Sequence, residues 1–222
     1  FYGKIGYQRY LEQIELARKA NFNILRVWGG GIVNKEAFFN ICDSLGILIW
    51  QDFPLSCNPY PDDPHYLKIL EQEAISIISR VSKHPSLALW CGGNELFNSW
   101  SRMTDQSLPL RLLNSLCYRL DPHTPFIPTA PIMGVGHGHY LFYDPQTDKD
   151  VFQIMGRARK TAYSEFGMPG IAPVSTLKQI IPHDELFPPQ PNTAWETHHA
   201  FNAWRSSSWL EMETLRKYFG EA

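Results

Sequence analysis

The sequence predicts an α/β fold, a (β/α)8 TIM barrel of parallel strands and crossover helices, on three observations. Segments of helical period alternate with short apolar runs from residue 7 to residue 165. The runs, "ILIW" and "LALWC" among them, are apolar throughout instead of alternating, as strands covered on both faces are. Residues suited to chemistry or binding (Trp28, Asp52, Asn94, Glu95 and Glu165) stand where the apolar runs end. In a barrel that end of the strands carries the site.

The elements follow in order. "YQRYLEQIELARKA" puts Tyr7, Tyr10, Leu11, Ile14 and Ala17 on one helical face. "FNILRVWGGG" is an apolar strand stopped by glycines. "NKEAFFNICDSLG" is a second helix, with Asn34 as expected N-cap, a Phe38, Cys42 and Leu45 stripe, and Gly46 as its stop. "ILIWQDF" is a buried strand. Residues 66–82 carry Leu67, Leu70, Ala74, Ile77, Ile78 and Val81 at helical spacing, and "LALWCGGNE" is the next strand. A helix over 108–120 shows Leu113, Leu116, Cys117 and Leu120. "PFIPTAP", "HYLFY" and "TAYSEFG" complete the strand candidates.

The expected strands are about 22–28, 47–52, 87–92, 125–130, 139–143 and 161–165. Six strands are too few for a closed barrel of eight. One is expected before residue 1 and one after residue 222, so the chain reads as strands two to seven. It is expected to be a single catalytic-domain fragment, residues 1–222, of a larger multidomain protein. Residues 171–222 read as helical or irregular, with "ELFPPQPNT" a loop and "WLEMETLRKYFG" a terminal helix. A doubly wound sheet would also place sites at strand ends. "GVGHGH" has the wrong spacing for a phosphate loop, however, and no helix behind it.

Composition narrows the function classes. The chain has 222 residues, 44% hydrophobic and 19% charged, enough for one sizeable domain. A net charge of −2 leaves no electrostatic footprint for nucleic acid or an anionic membrane. The basic cluster Arg157, Arg159 and Lys160 reads as a solvated face. No apolar run reaches the roughly 18 residues of a membrane span. "FYGKIGYQRY" has no signal-peptide pattern. Cys42, Cys57, Cys91 and Cys117 are widely spaced without C-x-x-C, so buried free thiols are expected and the compartment is not readable from them. Trp28, Trp50, Trp90 and Trp100 sit at segment ends, which predicts a cleft lined by flat apolar faces suited to sugar rings or other flat ligands.

Two strand-end glutamates carry the chemistry. A lone strand-end Glu is usually a structural ion-pair partner. Glu95 and Glu165 end two different strands of one expected barrel, and both are expected at its mouth. A pair of carboxyl groups is what glycoside hydrolysis needs: one protonates the leaving oxygen, the other attacks the anomeric carbon or activates water. No cofactor or metal is expected. His137 and His139 lie two apart, but a metal site needs further ligands and a second shell. His139 reads as a pocket or core histidine. His198 and His199 would diverge on a helix. "YSEFG" at Ser164 is not a nucleophile elbow.

"LALWCGGNE" with "AYSEFG" resembles glycoside hydrolase family 2. "NILRVWGGGI", "CDSLGILIWQDFPLSC" and "HPSLALWCGGNE" are similar to its β-mannosidase branch, over about residues 7–170. The resemblance implies a retaining β-glycoside hydrolase, foremost a β-mannosidase, with Glu95 as acid/base and Glu165 as nucleophile. It implies Asn94 near the sugar 2-hydroxyl, and Arg26, Trp28, Asp52 and Tyr140 shaping the sugar pocket or orienting the nucleophile. Trp100 is a looser candidate. It implies an oligosaccharide or glycan substrate, flanking β-sandwich domains, and a periplasmic, secreted or lysosomal setting. Other activities on the same scaffold are endo-β-mannosidase, exo-β-glucosaminidase and β-galactosidase. A barrel that holds sugar without cleaving it is the non-enzyme reading, and the presence of both glutamates favours the enzyme.

Overall fold

A computed structural model describes residues 2–138, 140, 143–144, 146–167, 172–198, 216–217 and 220. The chain gathers into two compact units, residues 1–136 and 137–222.

The first unit is an α/β layer. Helix α1 (Tyr7–Lys19) leads to strand β1 (Ile24–Val27), then α2 (Glu36–Leu45), β2 (Leu48–Asp52), α3 (Pro64–Val81), β3 (Leu87–Cys91), α4 (Leu108–Leu120) and β4 (Phe126–Ile127). The four strands form one parallel sheet in the order β1-β2-β3-β4. That order lacks the reversal that marks a doubly wound sheet. Local sequence explains the helix limits. Asp63 caps α3 by accepting the Tyr66 N–H, with Pro64 in the first turn. Gly46 ends α2 in the left-handed conformation. The cap of α2 is Lys35, without a side-chain bond, and not the expected Asn34. The Asn34 amide oxygen instead accepts the Tyr10 hydroxyl at 3.2 Å.

The sheet has two covered faces. Ile49, Phe53 and Trp90 pack with Ile14, Phe39, Ile78, Leu113 and Leu116 of the helices. Trp50 and Cys91 cluster with Ala130 apart from that core. The sequence predicts wholly apolar strands, and the structure differs. Arg26 lies level with Trp50, and Gln51 and Asp52 are almost completely buried. Arg26 and Asp52 bond to each other and Gln51 Nε2 donates to the Asp52 carbonyl, whereas Gln51 Oε1 is buried without a partner among the described residues. Trp50 and Trp90 are buried, whereas Trp28 and Trp100 are half exposed. Of the helix α1 face, Tyr10 and Ile14 are buried, but Tyr7 in the first turn is exposed.

Strand expectations weaken past residue 120. The strand expected over 125–130 shrinks to Phe126–Ile127, because Pro128 and Pro131 offer no N–H. A strand unforeseen in the sequence, β5 (Val135–His137), forms within "GVGHGH". Of the expected strand 139–143, His139, Leu141 and Phe142 lie outside the described residues. Tyr143 belongs to an antiparallel pair, β6 (Tyr143–Asp144) with β7 (Lys149–Asp150).

The second unit continues with α5 (Val151–Met155), β8 (Ala162–Glu165), α6 (Val174–Ile180) and α7 (Ala194–Thr197). Among its described residues, Leu177, Ile181, Leu186 and Trp195 form a buried apolar cluster. Of the expected terminal helix, Arg216 and Lys217 are described and helical; the rest lies outside the described residues, as does His199. His198 Nε2 lies 3.0 Å from the Ile180 carbonyl. Arg157, Arg159 and Lys160 are exposed, as expected. The four cysteines are free, and Cys42, Cys91 and Cys117 are buried, but Cys57 is only half-buried. No helix among the described residues is long and apolar enough to cross a membrane.

Candidate active site

In the first unit the site is built where β1, β2 and β3 end. Asp52, the last residue of β2, is 1% exposed and lies beside Arg26 of β1. Arg26 Nε donates to Asp52 Oδ1 at 3.2 Å, and Nη2 donates to Oδ2 at 2.7 Å. Two parallel bonds of this kind fix a guanidinium plane. The Gly29 N–H adds a third donor to Oδ2 at 3.0 Å. Gly29 must lack a side chain, since a Cβ there would collide with the carbonyls of Phe53 and Leu55. Burial pushes the Asp52 carboxyl above its ordinary range, against the opposing pull of Arg26 and Gly29. Burial also pushes the neighbouring Cys91 thiol up, and the Asp52 charge adds to the effect.

Arg26 reaches the end of β3 as well. Its Nη2 donates to Asn94 Oδ1 at 2.9 Å. That bond settles the amide orientation, so Asn94 Nδ2 points toward Cys57 Sγ (3.3 Å) and Ser56 Oγ (3.4 Å). The Asn94 backbone bridges both neighbouring segments, with Ser56 on one side and Ala130 on the other. Gly93 permits this, because a Cβ would collide with the Leu55 carbonyl and the Leu96 side chain. Gly92 is confined in the same way, since a Cβ there would collide with the Pro128 carbonyl.

Glu95 follows with φ +53°, in the left-handed region that Glu seldom occupies. Its backbone is fixed at both ends. The N–H donates to the Ala130 carbonyl at 2.7 Å, and its carbonyl accepts the Ser101 hydroxyl at 2.7 Å. Thr129, completely buried, donates its hydroxyl to the Gly93 carbonyl (3.0 Å) and accepts the Leu96 N–H (2.9 Å). Non-glycine residues held at such angles cluster at functional sites. Trp28, just past β1, and Trp100, on the turn after Glu95, expose 50% and 51% of their surface. Both offer flat faces to solvent.

In the second unit Glu165 ends β8. Its Oε2 accepts the Tyr140 hydroxyl at 2.8 Å, and His137 Nδ1 lies 3.7 Å from the same oxygen. The Gly138 N–H donates to the Glu165 carbonyl at 3.0 Å. The hydroxyl bond gives Tyr140 a defined relation to the carboxylate.

The sequence-derived residues thus fall into a bonded set, Arg26, Asp52 and Asn94, with Glu95 next in the chain, and a second set, Tyr140 with Glu165. Sequence reasoning missed Cys57, Ser56, Ser101, Thr129 and the His137–Glu165 contact. Cys57 stood in the motif "CDSLGILIWQDFPLSC" but was classed with the buried thiols. Thr129 acts on backbone atoms more than thirty residues away and Ser101 on the Glu95 carbonyl across a turn, and nothing in their local pattern signals this.

No family model matches the chain. β-Mannosidase B of Thermothelomyces thermophilus is 31% identical in an alignment of 213 positions that covers 82% of this chain and 24% of that protein. The β-mannosidase of Rattus norvegicus is 30% identical over 196 residues, covering 75% of this chain and 22% of that protein. Among solved structures, a β-D-mannosidase from Dictyoglomus thermophilum is 35% identical with a TM-score of 0.58, over 63% of this chain and 19% of that chain. An exo-chitosanase from Amycolatopsis orientalis, 20% identical, has a TM-score of 0.68 over 98% of this chain and 27% of that chain, which shows a shared fold. The chain spans about a quarter of the length of the curated relatives it matches.

Proposed function

From the premise that the chain is β-mannosidase-like, of the glycoside hydrolase family 2 kind, we propose that the protein containing it is a retaining β-glycoside hydrolase, foremost a β-mannosidase. The parallel run β1–β4 is then part of a (β/α)8 barrel. This chain supplies strands two to seven of it, and β-sandwich domains flank it in the whole protein. The substrate is an oligosaccharide or glycan ending in the recognised sugar.

The reaction has two steps. In the first, the Glu165 carboxylate attacks the anomeric carbon while the bond to the leaving oxygen breaks. Glu95 gives that oxygen a proton, and a glycosyl ester remains on Glu165. In the second, Glu95 takes a proton from water, water attacks the same carbon, and the ester bond breaks. Two inversions leave the β configuration intact. Asn94 meets the sugar 2-hydroxyl, Trp28 and Trp100 cover apolar faces of the sugars, and Tyr140 holds the Glu165 carboxylate in its attacking rotamer.

The observation that carries the reading is the buried Arg26–Asp52–Asn94 network directly ahead of Glu95. Burying an ion pair is costly, and this one fixes a single amide and the backbone leading to one carboxyl group. The test uses Glu95→Ala in the full-length protein with an activated aryl β-mannoside and azide. The activated leaving group needs little protonation, so the glycosyl ester forms, and azide replaces the water that lacks its base. A β-mannosyl azide is expected. An α-azide would overturn retention, and absence of rescue would overturn the role of Glu95.

A further inference from the structure

We propose that Cys57 is a positioning residue for the Glu95 carboxyl group, and that its thiol determines which oxygen exchanges the proton. The proposal deepens the acid/base reading of Glu95 and rests on it.

The geometry is a chain of hydrogen bonds with one direction. Arg26 Nη2 donates to Asn94 Oδ1 at 2.9 Å. Asn94 Nδ2 donates to Cys57 Sγ at 3.3 Å, and the Ser56 hydroxyl donates to the same sulfur at 3.4 Å. A thiol has one hydrogen, and its sulfur is here an acceptor twice. The remaining contact, Sγ to Glu95 Oε2 at 3.5 Å, is therefore the donating one. Each member gives its hydrogen toward Glu95, the polarity that a terminal carboxyl acceptor requires.

The backbone supports the contact. Cys57 and Glu95 both have φ +53°. Among the described residues only six non-glycine positions have positive φ, and two of them are these partners. Neither is the Asn or Asp that tolerates this region best. Cys57 is held there by its N–H to the Asn94 carbonyl at 3.0 Å. Strain kept at two touching side chains marks a functional geometry more readily than a packing one. Cys57 is also half-buried, unlike the other three cysteines, which are core residues.

The consequence is a choice between two oxygens. With the thiol hydrogen on Oε2, that oxygen is the carbonyl-type acceptor of the neutral acid, and the acid proton sits on Oε1. When the glycosidic bond breaks, the Oε1–H bond breaks and the aglycone O–H bond forms. When water attacks, a water O–H bond breaks and Oε1–H re-forms. The thiol keeps its own hydrogen throughout and undergoes no redox change.

The test compares two substrates of the full-length protein. For 2,4-dinitrophenyl β-mannoside the leaving group departs without a proton, whereas phenyl β-mannoside needs one. Cys57→Ala is expected to lower kcat/KM on the phenyl substrate about tenfold, a fraction of the roughly 10²–10⁴-fold that general acid catalysis contributes. On the dinitrophenyl substrate it is expected to stay within about twofold, so that arm also reports folding. Cys57→Ser retains a donor and should recover most of the phenyl activity. An equal loss on both substrates, or no loss on the phenyl substrate, would overturn the positioning role. Glu95→Ala separates the two claims. If it shows the leaving-group split and Cys57→Ala does not, the thiol proposal falls alone. If Glu95→Ala shows no split, the acid/base reading falls and takes the thiol with it.

Discussion

The two units hold their carboxylates by different means. In residues 1–136 Glu95 is fixed through its backbone: two bonds hold its peptide groups, Thr129 braces the residues on either side, and Asn94 is bridged from both neighbours. Behind these lies a large core that includes Trp90 stacked on Phe53 at 5.4 Å. In residues 137–222 Glu165 stands at the end of a four-residue strand with no fully buried member; its carbonyl accepts the Gly138 N–H, and the hydroxyl of a half-exposed Tyr140 holds its side chain, a hold on the carboxylate itself. Among the described residues of that unit, the core cluster is Leu177, Ile181, Leu186 and Trp195. The difference separates two kinds of precision. Backbone fixation couples a site to stability, and side-chain fixation does not. An acid that passes a proton through one oxygen gains from the first kind, and a nucleophile that must approach carbon gains from the freedom of the second.

The largest expected effect comes from Glu165→Gln. Removing the nucleophile should lower turnover of an aryl β-mannoside by on the order of 10⁴-fold or more. The melting temperature should stay unchanged, since no core contact is lost. Turnover near that of the wild type would remove Glu165 from the nucleophile role. A lowered melting temperature would break the comparison, because it would make Glu165 part of the scaffold.

A matched pair of substitutions sharpens it. Tyr140→Phe removes one hydrogen bond to a carboxylate, worth about 1.5–3 kcal/mol and so roughly 10- to 150-fold in kcat. Stability should be untouched. Thr129→Val leaves the Leu96 N–H without its partner in a fully buried place, while the Gly93 carbonyl keeps the Ala130 N–H at 3.1 Å. The orphaned N–H costs about 1–3 kcal/mol, so both the melting temperature and kcat should fall. Thermal melts and kinetics on the same four proteins, wild type and Glu165→Gln included, decide it. Equal melting temperatures for Tyr140→Phe and Thr129→Val would erase the distinction between backbone and side-chain fixation.

The same distinction explains what was legible in the sequence. Helices α1, α3 and α4 and strands β1–β3 follow from patterns within one element, and the helical stripe over 66–82 matches α3 to within two residues. Asp52, Asn94 and Glu95 were readable because they interrupt apolar runs at a fixed place. Prolines 128 and 131 blurred β4, and the alternating glycines 134, 136 and 138 hid β5. Asn34 resembled a cap because capping is local, but the Tyr10 hydroxyl, 24 residues away in sequence, claims its amide oxygen. The Cys57–Glu95 contact spans 38 residues and depends on two left-handed backbones. No periodicity encodes such a contact, and a half-buried thiol looks like any core cysteine in a sequence.

The smallest effect lies on the first unit, just ahead of the N-terminal end of β3. Asp43 of α2 accepts the Ser86 N–H at 3.0 Å and lies 2.6 Å from His84 Nδ1, joining the helix to the residues that lead into β3. Burial by itself would raise its carboxyl, but the bonds from Ser86 and His84 outweigh that and hold it below its ordinary value of 3.8. A carboxyl depressed in the folded state stabilises it above the unfolded pKa. The contribution is lost as pH falls through the lower, folded value. Asp43→Asn should therefore lower the melting temperature at pH 7 slightly, since solvent screens a partly exposed pair. The gap to the wild type should begin to narrow below about pH 4, where the unfolded carboxyl takes up its proton, and close as pH passes below the lower, folded value. The kcat at pH 7 should not change, because this tie reaches β3 from the end opposite Glu95. A gap that stays constant down to pH 3 would mean that shape, and not charge, makes the tie. A fall in kcat without a fall in melting temperature would mean that fixation in this unit does not run through stability after all.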